Sequence, residues 1–251
     1  MRPDRFTDKV AFITGGGQGM GQQLALDLAN EGAKVAIVDI DQAALDETRK
    51  LLDEMGAESL LSICDIASDV QVEAAIKKTH ETFGRIDILV NNAGLLRSAT
   101  IEDTTNELID KTIDINIKGV LYAIRAVTPI MKAQKYGRII NVASITGKNG
   151  DNTTTFVYGA SKGAVITITR SVARQLGPFG ITCNGIAPHA VMTKMMYYWD
   201  EEKKAAMAEK IPVKRLSTAQ DMAYLMAFLA SDESSFINGE TININGGYYM
   251  D

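Results

Sequence analysis

The residues best suited to chemistry are Tyr158 and Lys162, in the run Val157-Tyr158-Gly159-Ala160-Ser161-Lys162, with Ser144 fourteen positions before the tyrosine. Four positions apart on a helix, phenol and ammonium share one face about one turn from each other. A cation at that range favours the phenolate and lowers a pKa that starts at about 10, each unit being worth roughly 1.4 kcal/mol. A phenol tuned this way exchanges a proton with an alcohol or ketone near neutral pH, which is general acid–base chemistry. A Tyr-x-x-x-Lys pair is also what two unrelated residues on a helix surface look like, so its meaning depends on its surroundings.

The start of the chain provides a nucleotide site. Val10-Ala11-Phe12-Ile13 is a short apolar run of the kind a buried parallel strand shows. It leads into Thr14-Gly15-Gly16-Gly17-Gln18-Gly19-Met20-Gly21, and then Leu24, Ala25 and Leu28 recur at helical spacing. Strand, glycine turn and helix together gather backbone N–H groups at a helix N-terminus, where a pyrophosphate binds. No register of these glycines gives Gly-x-Gly-x-x-Gly; the loop reads Thr-Gly-x-x-x-Gly-x-Gly, and a plain strand–helix connection would also use glycines. The second apolar run, Lys34-Val35-Ala36-Ile37-Val38, ends at Asp39. A carboxylate there accepts both ribose hydroxyls of an adenosine and repels a 2′-phosphate, so it selects NAD over NADP. Neighbouring Ile40 and Gln18 offer that phosphate no cation. The other reading of Asp39 is a helix N-cap or turn residue.

Around these groups, apolar runs at about 10–14, 34–39, 59–64, 86–91, 137–143, 180–186 and 240–244 alternate with helical patterns at about 19–31, 41–55, 68–82, 104–134, 157–176 and 218–230. Ser68 with Gln71, Thr104 with Glu107, and Ser217 with Gln220 have capping-box spacing. Alternation of this kind predicts right-handed crossovers and one parallel sheet covered on both faces. No repeat, low-complexity stretch or linker divides the 251 residues, so a single domain is expected.

With Asp65, Asn91-Asn92-Ala93-Gly94, Asn116, Asn184, Pro188 and Thr193, these motifs stand in the order of the short-chain dehydrogenase/reductase family, which the chain resembles over nearly its whole length. The resemblance implies an α/β, Rossmann-type doubly wound sheet of about seven strands, a nicotinamide cofactor, and a Ser–Tyr–Lys centre completed by an asparagine. On that pattern Tyr158 takes the hydroxyl proton in oxidation and returns it in reduction, while Ser144 orients the substrate oxygen. Lys162 holds the nicotinamide ribose, and Asn116 holds a water connecting Lys162 to solvent. Asn116 also reads as a tolerated helix-surface amide. The implied cofactor contacts are Gly15, Gln18, Gly19, Met20, Gly21, Asp39, Ile40, Asp65 (adenine, through its side chain), Ile66, Asn92, Ala93, Gly94, Pro188, Val191 and Thr193, besides Tyr158 and Lys162.

Two departures from the family pattern concern the substrate side. His189 stands where a glycine usually follows the proline, either as a substrate contact or as a ring packed away. The Ser144-to-Tyr158 interval is one residue longer than usual, the excess falling in the polar stretch 148–155. A substrate lid is expected at about 190–212, rich in Met, Tyr and Trp. Substrate contacts are thus expected from Ser144, Asn152, His189, Met195, Met196 and Trp199.

These readings converge on an NAD(H)-dependent oxidoreductase interconverting a secondary alcohol and a ketone. A 3-oxoacyl-[acyl-carrier-protein] reductase is the alternative, weakened because such enzymes usually take NADPH. A non-catalytic NAD-binding regulatory protein is a third possibility, against which Ser144, Tyr158 and Lys162 all speak. The resemblance implies a homotetramer, or a dimer. A net charge of −5 with no basic run excludes a nucleic-acid footprint, and no uncharged apolar span reaches membrane length. Cys64 and Cys183 lie in apolar runs, which argues against a disulfide framework, and two histidines leave no imidazole cluster for a metal. A cytoplasmic enzyme is expected.

Overall fold

The computed structural model describes residues 4–150, 154–193 and 199–251. Its elements run β1 (Val10–Thr14), α1 (Gly19–Asn30), β2 (Lys34–Asp39), α2 (Gln42–Glu54), β3 (Ser59–Ile63), α3 (Asp69–Phe83), β4 (Ile88–Asn91), α4 (Asn106–Ile113), a π turn (Asp114–Lys118), α5 (Gly119–Gln134), β5 (Gly137–Val142), α6 (Thr146–Asn149), α7 (Phe156–Leu176), β6 (Ile181–Pro188), β7 (Val191–Met192), α8 (Glu201–Lys210), β8 (Ser217–Thr218), α9 (Ala219–Ala230) and β9 (Thr241–Ile244). Seven strands form one parallel sheet in the order β3-β2-β1-β4-β5-β6-β9, and β7 pairs with β8. The chain moves outward from β1 to β3 and then returns to lay β4 beside β1. That reversal opens a crevice beyond the carboxyl ends of β1 and β4, where ligands bind in such sheets.

β1, β4, β5 and β6 are buried along their whole length because helices cover both faces. Ile13, Ile37, Val90 and Ile186 pack with Leu24 and Leu28 of α1 and Met222 and Met226 of α9. Their neighbours Phe12, Ala36, Leu89 and Cys183 face the other way, against Val72 and Ile76 of α3, Val127 of α5 and Val165 of α7. Side chains alternate across a strand, so two apolar faces demand an unbroken apolar run. Cys64 and Cys183 are buried free thiols, and burial pushes them up to about 11 and about 12. Among the described residues no helix is long and apolar enough to cross a membrane.

Five local expectations need correction. The single helix expected over 104–134 begins at Asn106 and is interrupted by the π turn. Two caps sit one residue later than their spacing suggested: Thr105 rather than Thr104 caps α4, and Thr218 with Asp221, rather than Ser217 with Gln220, forms the box on α9. In the third, Ser68 caps α3 as expected, but the Gln71 side chain accepts from Asp65 N instead of closing the box. β6 also extends through Pro188, which therefore ends the strand rather than following it.

Candidate active site

The β1–α1 loop is built around glycines that nothing else could replace without distortion. Gly15 and Gly19 hold φ of +63° and +59°. A Cβ at Gly21 would lie 2.5 Å from Asn92 Nδ2 and 2.6 Å from Gly15 O. Asn92 Nδ2 donates to Thr14 O (3.1 Å) and Gly15 O (2.7 Å), while Thr14 Oγ1 accepts from Asn92 N and Ala93 N. The loop after β4 is thereby locked onto the loop after β1. Gly21→Ala is expected to break this lock: overpacking against backbone costs about 1–3 kcal/mol. Thermal unfolding of the variant should occur several degrees lower, at about 2–4 °C per kcal/mol for a domain of this size.

Beyond that lock lies a groove of about 510 Å³. Gly15, Gln18, Gly19 and Met20 line one part of it, Asp39, Ile40, Asp65 and Ile66 another, and Asn92, Ala93, Gly94 and Thr193 a third. Gln18 gives α1 no side-chain cap and the first turn holds no acid, so the N–H groups at this terminus keep their affinity for an anion. Asp39 Oδ2 accepts from Gly17 N (3.0 Å) and Oδ1 from Asp41 N (3.1 Å), which fixes the carboxylate at the tip of β2. The cap of α2 is Asp41, so Asp39 is not spent on capping. Ile40 is 70% exposed. Glycine cradle, open helix terminus and fixed carboxylate suit the pyrophosphate and adenosine ribose of a dinucleotide.

α7 begins at its Thr155 cap and carries Tyr158 and Lys162 inward, both buried. Lys162 Nζ lies 5.9 Å from the centroid of the Tyr158 ring and donates to Val142 O at 2.7 Å. Burial pushes the Lys162 ammonium down to about 8. Ser144 follows β5; its Oγ accepts from Thr146 N (3.2 Å), and Ile145 N donates to Pro188 O (3.0 Å). α6 can lie against α7 because Gly147 has no Cβ, which would sit 2.6 Å from Lys162 C and Gly163 N. The hydroxyl, phenol and ammonium thus come from β5 and α7 to one region at the carboxyl end of the sheet.

Asn116 is fully buried in the π turn, which rules out the surface-amide reading. Its Oδ1 accepts from Leu95 N (2.7 Å), and Nδ2 donates to Leu95 O (2.9 Å) and Ser161 Oγ (3.0 Å). Ser161 Oγ in turn donates to Tyr158 O. A Cβ on Gly94 would stand 3.4 Å from Lys162 Nζ and 3.5 Å from Asn116 Oδ1, so this bare glycine keeps the space above both open.

Not every expected residue lies where the sequence pattern put it. Gly21 packs under the loop, and Pro188 and Val191, like Ser144, Tyr158 and Lys162, lie outside the lining of this groove. Lys111, Ile115, Leu95 and Cys64 line it without having been anticipated. The four-residue spacing of Lys111 and Ile115 on a helix was the available signal for two of them. On the substrate side, the His189 ring stacks on Tyr248, with centroids 3.8 Å apart and planes inclined at 17°. Trp199 is half-buried with Lys203 Nζ 4.6 Å from its ring centroid. Asn152, Met195 and Met196 fall outside the described residues. Among the described residues no His, Cys, Asp and Glu side chains group as a metal site.

Fold and site together define a dinucleotide-binding oxidoreductase, and comparison with known proteins gives its family. A family model described as enoyl-(acyl carrier protein) reductase matches residues 15–249. A 3-oxoacyl-[acyl-carrier-protein] reductase of Staphylococcus epidermidis is 38% identical, over 97% of this chain and 100% of its own. Galactitol 2-dehydrogenase of Agrobacterium fabrum is 39% identical, over 98% and 99% of the two chains. Levodione reductase of Leifsonia aquatica is 38% identical, over 97% and 95%. A crystal structure of levodione reductase superposes with a TM-score of 0.90 at 38% identity, covering 96% of this chain and 98% of that one. The chain belongs to the short-chain dehydrogenase/reductase family.

Proposed function

We propose that the protein is an NAD(H)-dependent oxidoreductase that interconverts a secondary alcohol and a ketone, with Tyr158 as the general acid and base. The observation that carries this reading is the buried Lys162 ammonium, one turn from Tyr158 on the inner face of α7 and beside the Ser144 turn. A nicotinamide cofactor in the groove supplies the hydride carrier. In oxidation Tyr158 takes the proton of the substrate hydroxyl; in reduction it returns it. Ser144 Oγ donates to the substrate oxygen and stabilises charge developing there. Lys162 favours the phenolate and provides donors for a ribose hydroxyl, while Asn116 holds the Leu95 backbone against α7. Gly15, Gln18, Gly19, Met20, Asp39, Ile40, Asp65, Ile66, Asn92, Ala93, Gly94 and Thr193 would hold the dinucleotide.

Asp39 supports NAD over NADP, because its fixed carboxylate would face a 2′-phosphate as a like charge. Two unit charges about 4 Å apart repel by roughly 1–4 kcal/mol between bulk water and a protein surface. Asp39→Asn keeps an acceptor for Gly17 N and removes the charge. The NADH:NADPH ratio of kcat/KM should therefore fall about tenfold or more in Asp39→Asn; an unchanged ratio would remove Asp39 from cofactor selection.

A simple ketone is favoured over an acyl thioester by Asp39 and by relatives named for levodione and galactitol. The relative named for a 3-oxoacyl-carrier-protein keeps thioester reduction as the second reading. Part of the same reading are a substrate lid over 190–212 on the single domain, a homotetrameric assembly, and a cytoplasmic setting in which Cys64 and Cys183 stay reduced.

A further inference from the structure

The segment after β9, residues 245–251, is folded back onto His189, Val213 and Lys148. Gly246 and Gly247 take φ of +63° and +85°, a pair of left-handed residues that reverses the chain. Asn245 fixes the reversal, accepting from Gly247 N (3.0 Å) and donating to Tyr249 O (2.9 Å). From there the segment reaches three places. Gly246 O accepts from Val213 N (3.3 Å), where the chain returns from α8. Tyr248 stacks on His189. Asp251 accepts from Lys148 Nζ of α6 (2.7 Å) and from Asn243 Nδ2 (2.6 Å), and Lys148 also donates to Thr241 O.

Two of the anchored residues, Lys148 and His189, join the turn that follows Ser144. Lys148 is four residues after Ser144, and its N–H donates to Ile145 O. His189 follows Pro188, whose carbonyl accepts from Ile145 N. His189 lines a cavity of about 160 Å³ together with Ile211, Val213, Asn245 and Gly246. No residue of 245–251 lines the nucleotide groove.

We propose that residues 245–251 form a clasp that positions the substrate-facing wall, with Tyr248 holding His189 and Asp251 holding Lys148, and that this clasp helps set which substrate is accepted. The proposal rests on the oxidoreductase reading above and adds a positioning role that the cofactor side does not share. A ring–ring contact of this kind is worth a few-fold to about tenfold in an equilibrium.

The test uses the full chain with Tyr248→Ala, Tyr248→Phe and Asp251→Asn. It combines steady-state kinetics on a ketone, NADH fluorescence titration and amide hydrogen exchange. In Tyr248→Ala, KM for the ketone should rise about fivefold or more while kcat and NADH affinity stay within about twofold. Exchange at the Val213 amide should quicken. Tyr248→Phe, which keeps the ring, should restore both, and Asp251→Asn should loosen α6 in the same exchange experiment. An unchanged KM in Tyr248→Ala, or a rise that Tyr248→Phe shares, overturns the substrate role. If the wild-type protein reduces no ketone with NADH, the oxidoreductase reading fails instead. Exchange alone then decides the clasp, and unaltered protection at Val213 in Tyr248→Ala overturns it.

Discussion

Tyr158→Phe should abolish turnover, lowering kcat by about 100- to 10,000-fold, while NADH affinity changes by no more than about twofold. The substitution removes one oxygen and keeps a ring that is 9% exposed at the start of α7, so packing there is preserved. Its helix cap, Thr155, and the Ser161–Tyr158 backbone bond do not involve the phenol. The groove proposed for the dinucleotide is lined by other residues, from the loops after β1 to β4, from α4 and the π turn, and by Thr193. Proton exchange is the function the variant is expected to lose. Retention of most activity would move the acid–base role to another group.

Lys162→Met should also remove activity, and it carries a second signature that an exposed lysine would not give. Burial holds the Lys162 ammonium at about 8, against 10.5 for a free lysine. Between those values the unfolded chain carries the proton and the folded chain does not, so folding stability rises with pH through that window. Below about pH 8 the folded protein bears the full cost of the buried charge, of order 3 kcal/mol. At pH 7 the variant gains by losing that charge and loses about 1–3 kcal/mol by leaving Val142 O without its donor. The two nearly cancel, so melting temperatures at pH 7 should be similar. From pH 8 to 10.5 the wild type should gain stability relative to Lys162→Met. Parallel pH profiles would mean that the ammonium is not buried in the way described.

The elements and the dinucleotide loop were legible because local pattern determines them. Fully buried strands need unbroken apolar runs, and the β1–α1 turn needs glycine where φ is positive or backbone approaches closely. Asp39 was legible because it ends a strand. The caps fall one residue later than their spacing suggested: Thr104 Oγ1 donates back to Thr100 O and Ser217 Oγ to Ala190 O, while Thr105 and Thr218 accept the N–H groups of α4 and α9. Asn116 looked like a poor helix residue because its partner, the Leu95 backbone, lies 21 positions away. The π turn seats Asn116 where it can make that contact. The stack of His189 on Tyr248 joins two segments 59 positions apart, and only the folded chain shows that an apparently misplaced histidine has a specific seat.

The central claim is tested most directly by following NADH and NADPH oxidation by the wild-type protein against cyclic diketones, steroid ketones, sugar-derived ketones and an acetoacetyl thioester. Turnover of a simple ketone with a strong preference for NADH is the predicted result. Turnover confined to the thioester and driven by NADPH would contradict both the role given to Asp39 and the substrate class.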